Sequence, residues 1–140
     1  MDRSNDDWRD LGKIVEGTSP TVMARCATAD GTLIQQASLT NVKLKIYDIS
    51  SGQSTATLVG SEVTLTLDDV WFDTVQTDGG WTWGYGGYNF AYVIPAASLA
   101  GGGAGVKKSY QIEIRGTLSG NIGFWVVKAR IAVTDALGIT

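Results

Sequence analysis

The stretch NVKLKIY, residues 41–47, decides the fold. Val42, Leu44 and Ile46 alternate with Lys43, Lys45 and Tyr47, a period of two that puts the apolar set on one face of a strand and the polar set on the other. Asn41 opens the run and a Ser50-Ser51-Gly52 turn closes it. The same rhythm recurs on both sides. Upstream, Val22, Ala24 and Cys26 oppose Met23, Arg25 and Ala27, and Asp30-Gly31 supplies the turn. Downstream, Val63, Leu65 and Leu67 point inward against Glu62, Thr64 and Thr66. Tyr88, Phe90, Tyr92 and Ile94 then share a face opposite Asn89, Ala91 and Val93, and Pro95, with no N–H for a ladder, ends that strand. After GGGAG (101–105), Tyr110, Ile112 and Ile114 alternate with Gln111, Glu113 and Arg115. In the last run Phe124, Val126, Lys128 and Arg130 oppose Trp125, Val127, Ala129, Ile131 and Val133, with a slip near Ala129 that a bulge or bend explains.

These runs predict an all-β domain of about six to eight short strands with no amphipathic helix and no internal repeat. An antiparallel sandwich of the immunoglobulin-like type is the economical architecture. An up-and-down barrel is the alternative, because strand patterns do not specify closure. A chain of 140 residues accommodates one core, assigned to residues 14–140, with residues 1–13 as an extended N-terminal arm.

Composition narrows the functions. Histidine is absent, which removes the usual general base and the commonest transition-metal ligand. No lysine falls beside a serine in a recognisable motif, so an enzyme is not expected, nor is a cofactor. The single cysteine, Cys26, permits no intrachain disulfide and no thiolate cluster, and reads as a small buried hydrophobe. A net charge of −3 and a pI near 4.7 argue against nucleic acid as a partner. No apolar run approaches a membrane span. The N-terminal MDRSNDDWRD has neither a signal-peptide nor an anchor pattern, so synthesis and assembly in a cytoplasm are expected.

Two regions break the strand pattern. The first is the arm up to Lys13, with four aspartates and two arginines around Trp8 and Leu11. It reads either as a polar tail or as an arm that docks Trp8 on a neighbouring subunit. The second runs from Asp68 to Gly87, with four aspartates, five glycines and three tryptophans, and is expected to be a long loop or a loop with a short hairpin. Its aspartates (Asp68, Asp69, Asp73 and Asp78) lack the spacing of an EF-hand and match no glycosidase carboxylate pair. Turn capping accounts for them and no metal site is expected. In WTWGYGGYNF (81–90) three readings stand: rings that plug the end of the sandwich, a stacking platform of Trp81, Trp83 and Tyr85 for carbohydrate, or the centre of a protein–protein patch.

FDTVQTD (72–78), GYNF (87–90), VIPAASL (93–99) and SYQIEI (109–114), taken together, resemble the small immunoglobulin-like virion proteins encoded among the head genes of tailed bacteriophages and prophages. The resemblance spans roughly residues 12–133. It implies a structural virion protein, most simply a capsid decoration or cement protein that binds the major capsid protein or other virion subunits, with self-association as a further option. A head-to-tail connector or tail component is the close variant, and a carbohydrate-binding module the alternative from another class. The candidate partner-binding residues are Trp8 and Leu11 of the arm, and Trp71, Phe72, Trp81, Trp83 and Tyr85 of the aromatic insertion. The chain departs from antibody-type domains in lacking the paired cysteines and the tryptophan packed on them.

Overall fold

The computed structural model describes residues 8–77, 87–101 and 107–134. Among the described residues nine strands form two sheets. In chain order they are β1 (Trp8–Val15), β2 (Thr21–Ala24), β3 (Leu39–Asp48), β4 (Thr57–Leu58), β5 (Val63–Leu65), β6 (Trp71–Gln76), β7 (Tyr88–Val93), β8 (Lys107–Leu118) and β9 (Ile122–Thr134), with a one-turn α-helix, α1 (Leu67–Val70), ahead of β6 and short 3-10 turns at Gln36–Ser38, Gln53–Thr55 and Ala96–Ser98. The large sheet runs β1-β9-β8-β3-β4, and β5 also pairs with β3, beside β4 along the same edge. The small sheet runs β2-β7-β6. The pairs are antiparallel except β1 with β9, which is parallel.

This order is that of an immunoglobulin-like sandwich. β2, β7 and β6 occupy the places of strands B, E and D, and β9, β8 and β3 those of G, F and C, with β4 and β5 at the C′ edge. A second mark of the fold lies at the start of β8, where the Tyr110 hydroxyl donates to the Ala100 carbonyl at 2.5 Å. This ties the strand to the connection that precedes it, as the tyrosine corner does in antibody domains. Ile112, two residues on and fully buried, stands where those domains carry their second half-cystine.

The core follows the sequence rhythm. Val42, Leu44 and Ile46 of β3 line the inner face of the large sheet beside Ile112, Ile114 and Tyr110 of β8 and Val127, Ala129, Ile131 and Val133 of β9, within one cluster. Val22, Ala24, Phe90 and Trp71 close it from the small sheet. Each large aliphatic or aromatic side chain so buried contributes about 1.5–3 kcal/mol of transfer free energy.

Several expectations need correction. The arm does not end at Lys13: from Trp8 onward the backbone is a strand, aligned with β9 from Lys128 to Thr134. An edge strand hydrogen-bonded on one side needs fewer apolar residues than a central one, so its charges hid it. Its register breaks between Asp10 and Lys13, where Gly12 takes a φ of +78° that few other residues adopt. The insertion after Asp68 contains a strand, β6, which meets β7 at Trp71↔Phe90 and Gln76↔Tyr88. Val63 is exposed rather than inward, because β5 is a three-residue edge strand that buries only Leu65. Met23 is buried although the alternation sets it opposite Val22 and Ala24.

The slip in β9 is a bulge, but at Val126 rather than near Ala129. Ile114 of β8 pairs with Val127 and the next residue, Arg115, with Trp125, so Val126 is the extra residue. Val126 and Val127 are both buried. N-terminal to the bulge the inside and outside of the strand exchange, and that exchange places Trp125 outside.

Candidate functional site: the outer face of the large sheet

The expected partner-binding residues divide. Trp71 is 1% exposed and belongs to the core: its ring meets Phe90 and Phe124 edge-on, with centroids 5.8 and 6.4 Å away, and its indole N–H donates to the Ile34 carbonyl at 2.7 Å. Leu11 packs partly buried against the same core. Phe72 is half-buried and stands edge-on to Tyr88. The backbone of Trp8 aligns with Lys128; its side chain, like all of Trp81, Trp83 and Tyr85, lies outside the described residues. Trp71 and Leu11 are therefore part of the fold's own interior.

The Trp71 end of the sandwich is stitched by a buried asparagine that the strand alternation did not single out. Asn89, fully buried on β7, accepts from the Cys26 N–H at 2.7 Å and donates to the Cys26 and Ile34 carbonyls at 2.9 and 3.2 Å. The loop between β2 and β3 is thereby held to the sheet, and Ile34 N–H closes the ring by donating to Cys26 O at 3.0 Å. Asp73, one of the insertion's aspartates, accepts from the Gln36 N–H at 2.8 Å, while Gln35 and Gln36 donate to the Asp73 and Trp71 carbonyls. Among the described residues no three cysteines or carboxylates come together as a cation site. Beside this loop an open groove of about 530 Å³ runs past Leu33, Ala37, Leu118 and the exposed Ile122; it is lined by no titratable side chain.

The opposite surface has a different chemistry. Three cross-strand rows cover the outer face of the large sheet: Lys43, Arg115 and Trp125; Lys45, Glu113 and Lys128; Tyr47, Gln111 and Arg130. Trp125 is 43% exposed. The Arg115 guanidinium lies 5.1 Å and the Lys128 ammonium 5.0 Å from its ring centroid, each over the ring, where the π-face attracts cations. Arg115 reaches this position across Gly123: a Cβ there would meet the guanidinium at 2.5 Å, so the bare glycine backbone is what makes room.

Across the rest of the face the polar groups are paired. The Gln53 amide donates to Gln111 at 2.5 Å, and Gln111 in turn donates to the Glu113 carboxylate at 2.6 Å. This chain explains why Gln111 is buried on an outer face. Lys43 and Lys45 share the Glu62 carboxylate at 3.6 and 3.8 Å. At the margin, Lys108 donates to Asp48 at 2.9 Å. Burial works to raise the Asp48 carboxyl, but the hydrogen bonds from Ser50 and the ammonium of Lys108 outweigh it and hold the pKa below the ordinary value. The Lys108 ammonium is raised in return, by its hydrogen bond to Asp48 and by that group's charge.

Trp125, missing from the sequence candidates, had one signal available: Lys128 and Arg130 mark the solvent face of β9, and a strand carrying one extra residue brings Trp125 onto it. No family model matches the chain, and no curated protein matches it either.

Proposed function

We propose that this chain is a structural subunit of a tailed-bacteriophage virion, a capsid decoration protein that grips the major capsid protein through the outer face of its large sheet. The observation that carries the proposal is Trp125, a large aromatic displayed between two cations on the outer face of the large sheet, at the β9 end of its first cross-strand row. Exposed tryptophan and arginine of this kind supply the anchors of protein–protein interfaces. The sequence likeness of residues 72–78, 87–90, 93–99 and 109–114 to virion proteins gives the setting, and the immunoglobulin-like strand order agrees with it.

The test uses heads assembled from the major capsid protein of the same genome, mixed with the purified chain and pelleted. Wild-type chain pellets with the heads, and Trp125→Ala stays in the supernatant while keeping its circular dichroism and melting curve. Wild-type chain that fails to pellet sinks the proposal. Cryo-microscopy of the loaded heads separates the variants of the reading: density over the whole shell marks decoration, and density at a single vertex marks a head-to-tail connector.

A further inference from the structure

We infer that the surface docked on this face is a carboxylate-rich protein surface, neither a nucleic acid, a glycan nor the same face of a second copy. The inference rests on the reading that the outer face of the large sheet is the docking face, and it specifies the partner's chemistry.

Charge is the first argument. The three rows, with Glu62 and with Asp10 of β1, whose position aligns with Arg130, hold five cations (Lys43, Lys45, Arg115, Lys128 and Arg130) against three carboxylates, Glu62, Glu113 and Asp10. This local excess of two sits in a chain whose net charge is −3, so the remainder of the chain carries −5. Positive charge is concentrated on one face of an acidic molecule, a distribution that orients an acidic partner and speeds its approach.

The same numbers exclude symmetric pairing. Two copies meeting through this face would oppose their excess cations row to row, and like charges across an interface cost several kcal/mol.

The arrangement also discriminates among anions. A polyphosphate backbone offers charge of one sign only and is met on the face itself by Glu113, which Gln111 holds in the middle row between Lys45 and Lys128. A protein surface that is mostly carboxylate but carries a basic residue can answer both signs, with its carboxylates to the lysines and arginines and its cation to Glu113. A sugar needs an open aromatic face for stacking, and the Trp125 ring already carries Arg115 and Lys128 over it. The Arg115 guanidinium, with its fork of N–H donors, presents them to carboxylate oxygens while it remains against the ring, so the indole pre-orders a group that would bind.

The probe is poly-L-glutamate, titrated into ¹⁵N-labelled full-length chain at physiological salt, with amide and indole N–H shifts followed by NMR. Shifts that cluster on residues 43–47, 111–115 and 123–130, and binding about tenfold weaker in a Lys45→Glu, Lys128→Glu double variant, support the inference. Lys107→Glu, which lies off the three rows, serves as the control and stays within about twofold of wild type. Equal binding by wild type and the double variant overturns it, as does tighter binding of duplex DNA to the same residues, or a dimer through this face in analytical ultracentrifugation. If heads capture wild type and lose Trp125→Ala while poly-L-glutamate leaves the face unmoved, the docking face stands and the carboxylate partner falls. If the probe binds and heads capture nothing, the virion reading falls alone.

Discussion

Trp71 and Trp125 are the same side chain in opposite surroundings. Trp71 enters the interior from the first residue of β6, with its N–H on the Ile34 carbonyl and its ring edge-on to two phenylalanines. Trp125 stands on the outer face of β9 with 43% of its surface exposed and cations for neighbours. The first is surrounded by groups that hold the two sheets together, and the second by groups that hold only the second itself in position. The difference teaches that the aromatic content of this chain is not a single cluster: one part specifies the sandwich, and another is set out by a framework that would stand without it.

The comparison breaks most sharply in denaturation. Trp71→Ala removes a buried indole and is expected to cost about 3–5 kcal/mol, whereas Trp125→Ala costs less than about 1 kcal/mol. Urea unfolding of the two variants measures both, and equal losses would refute the assignment of one ring to the core and the other to display.

A smaller effect belongs to the polar stitching around Trp71. In Asn89→Leu, which keeps side-chain volume, the Cys26 N–H loses the Asn89 oxygen, while Ile34 O retains the Trp71 indole and Cys26 O retains the Ile34 amide. The expected cost is about 1–3 kcal/mol, accompanied by faster hydrogen exchange at the Cys26 amide.

The smallest effect lies at the margin of the outer face. Because the folded Asp48 pKa is depressed, the stability it contributes is fully present above its ordinary value of 3.8 and fades as the pH falls through the lower folded value. Lys108→Ala moves the Asp48 titration upward and weakens this acid-range dependence, as carboxyl-carbon NMR would follow; an unmoved titration would show that Ser50 alone sets it.

What could be read in the sequence was whatever kept a strict period of two. Val42, Leu44 and Ile46, and across from them Ile112 and Ile114, lie where alternation places them. Where a backbone partner substituted for apolar burial, the pattern failed. β1 is stabilised by its ladder to β9 and so tolerates Arg9, Asp10 and Lys13. β6 buries Trp71 but exposes Asp73, Thr74 and Val75, so it resembles a loop. Asn89 occupies a fully buried position that alternation assigns to the other face, because the loop after Cys26 offers it three backbone partners.

The candidate site was less legible still. Two of the chosen residues, Trp71 and Leu11, are spent on the interior. The outer face depends on register across β3, β8 and β9, with β3 far from the other two in the chain, and on one residue of offset that the slip in the last run announced without locating it at Val126.

That offset also marks where the length of the chain can change without changing its surface. Val126 is the one residue by which the β9 segment exceeds the matching stretch of β8. Loss of its codon would leave Ile114 opposite Val127 and Arg115 opposite Trp125, now as consecutive rungs of an unbroken ladder, so Trp125 would stay outside and Phe124 inside. The strand would lose the local bend and extra twist of a bulge and keep its two faces. A homologue shorter by one residue at this point would therefore present the same row of side chains to its partners on a straighter strand.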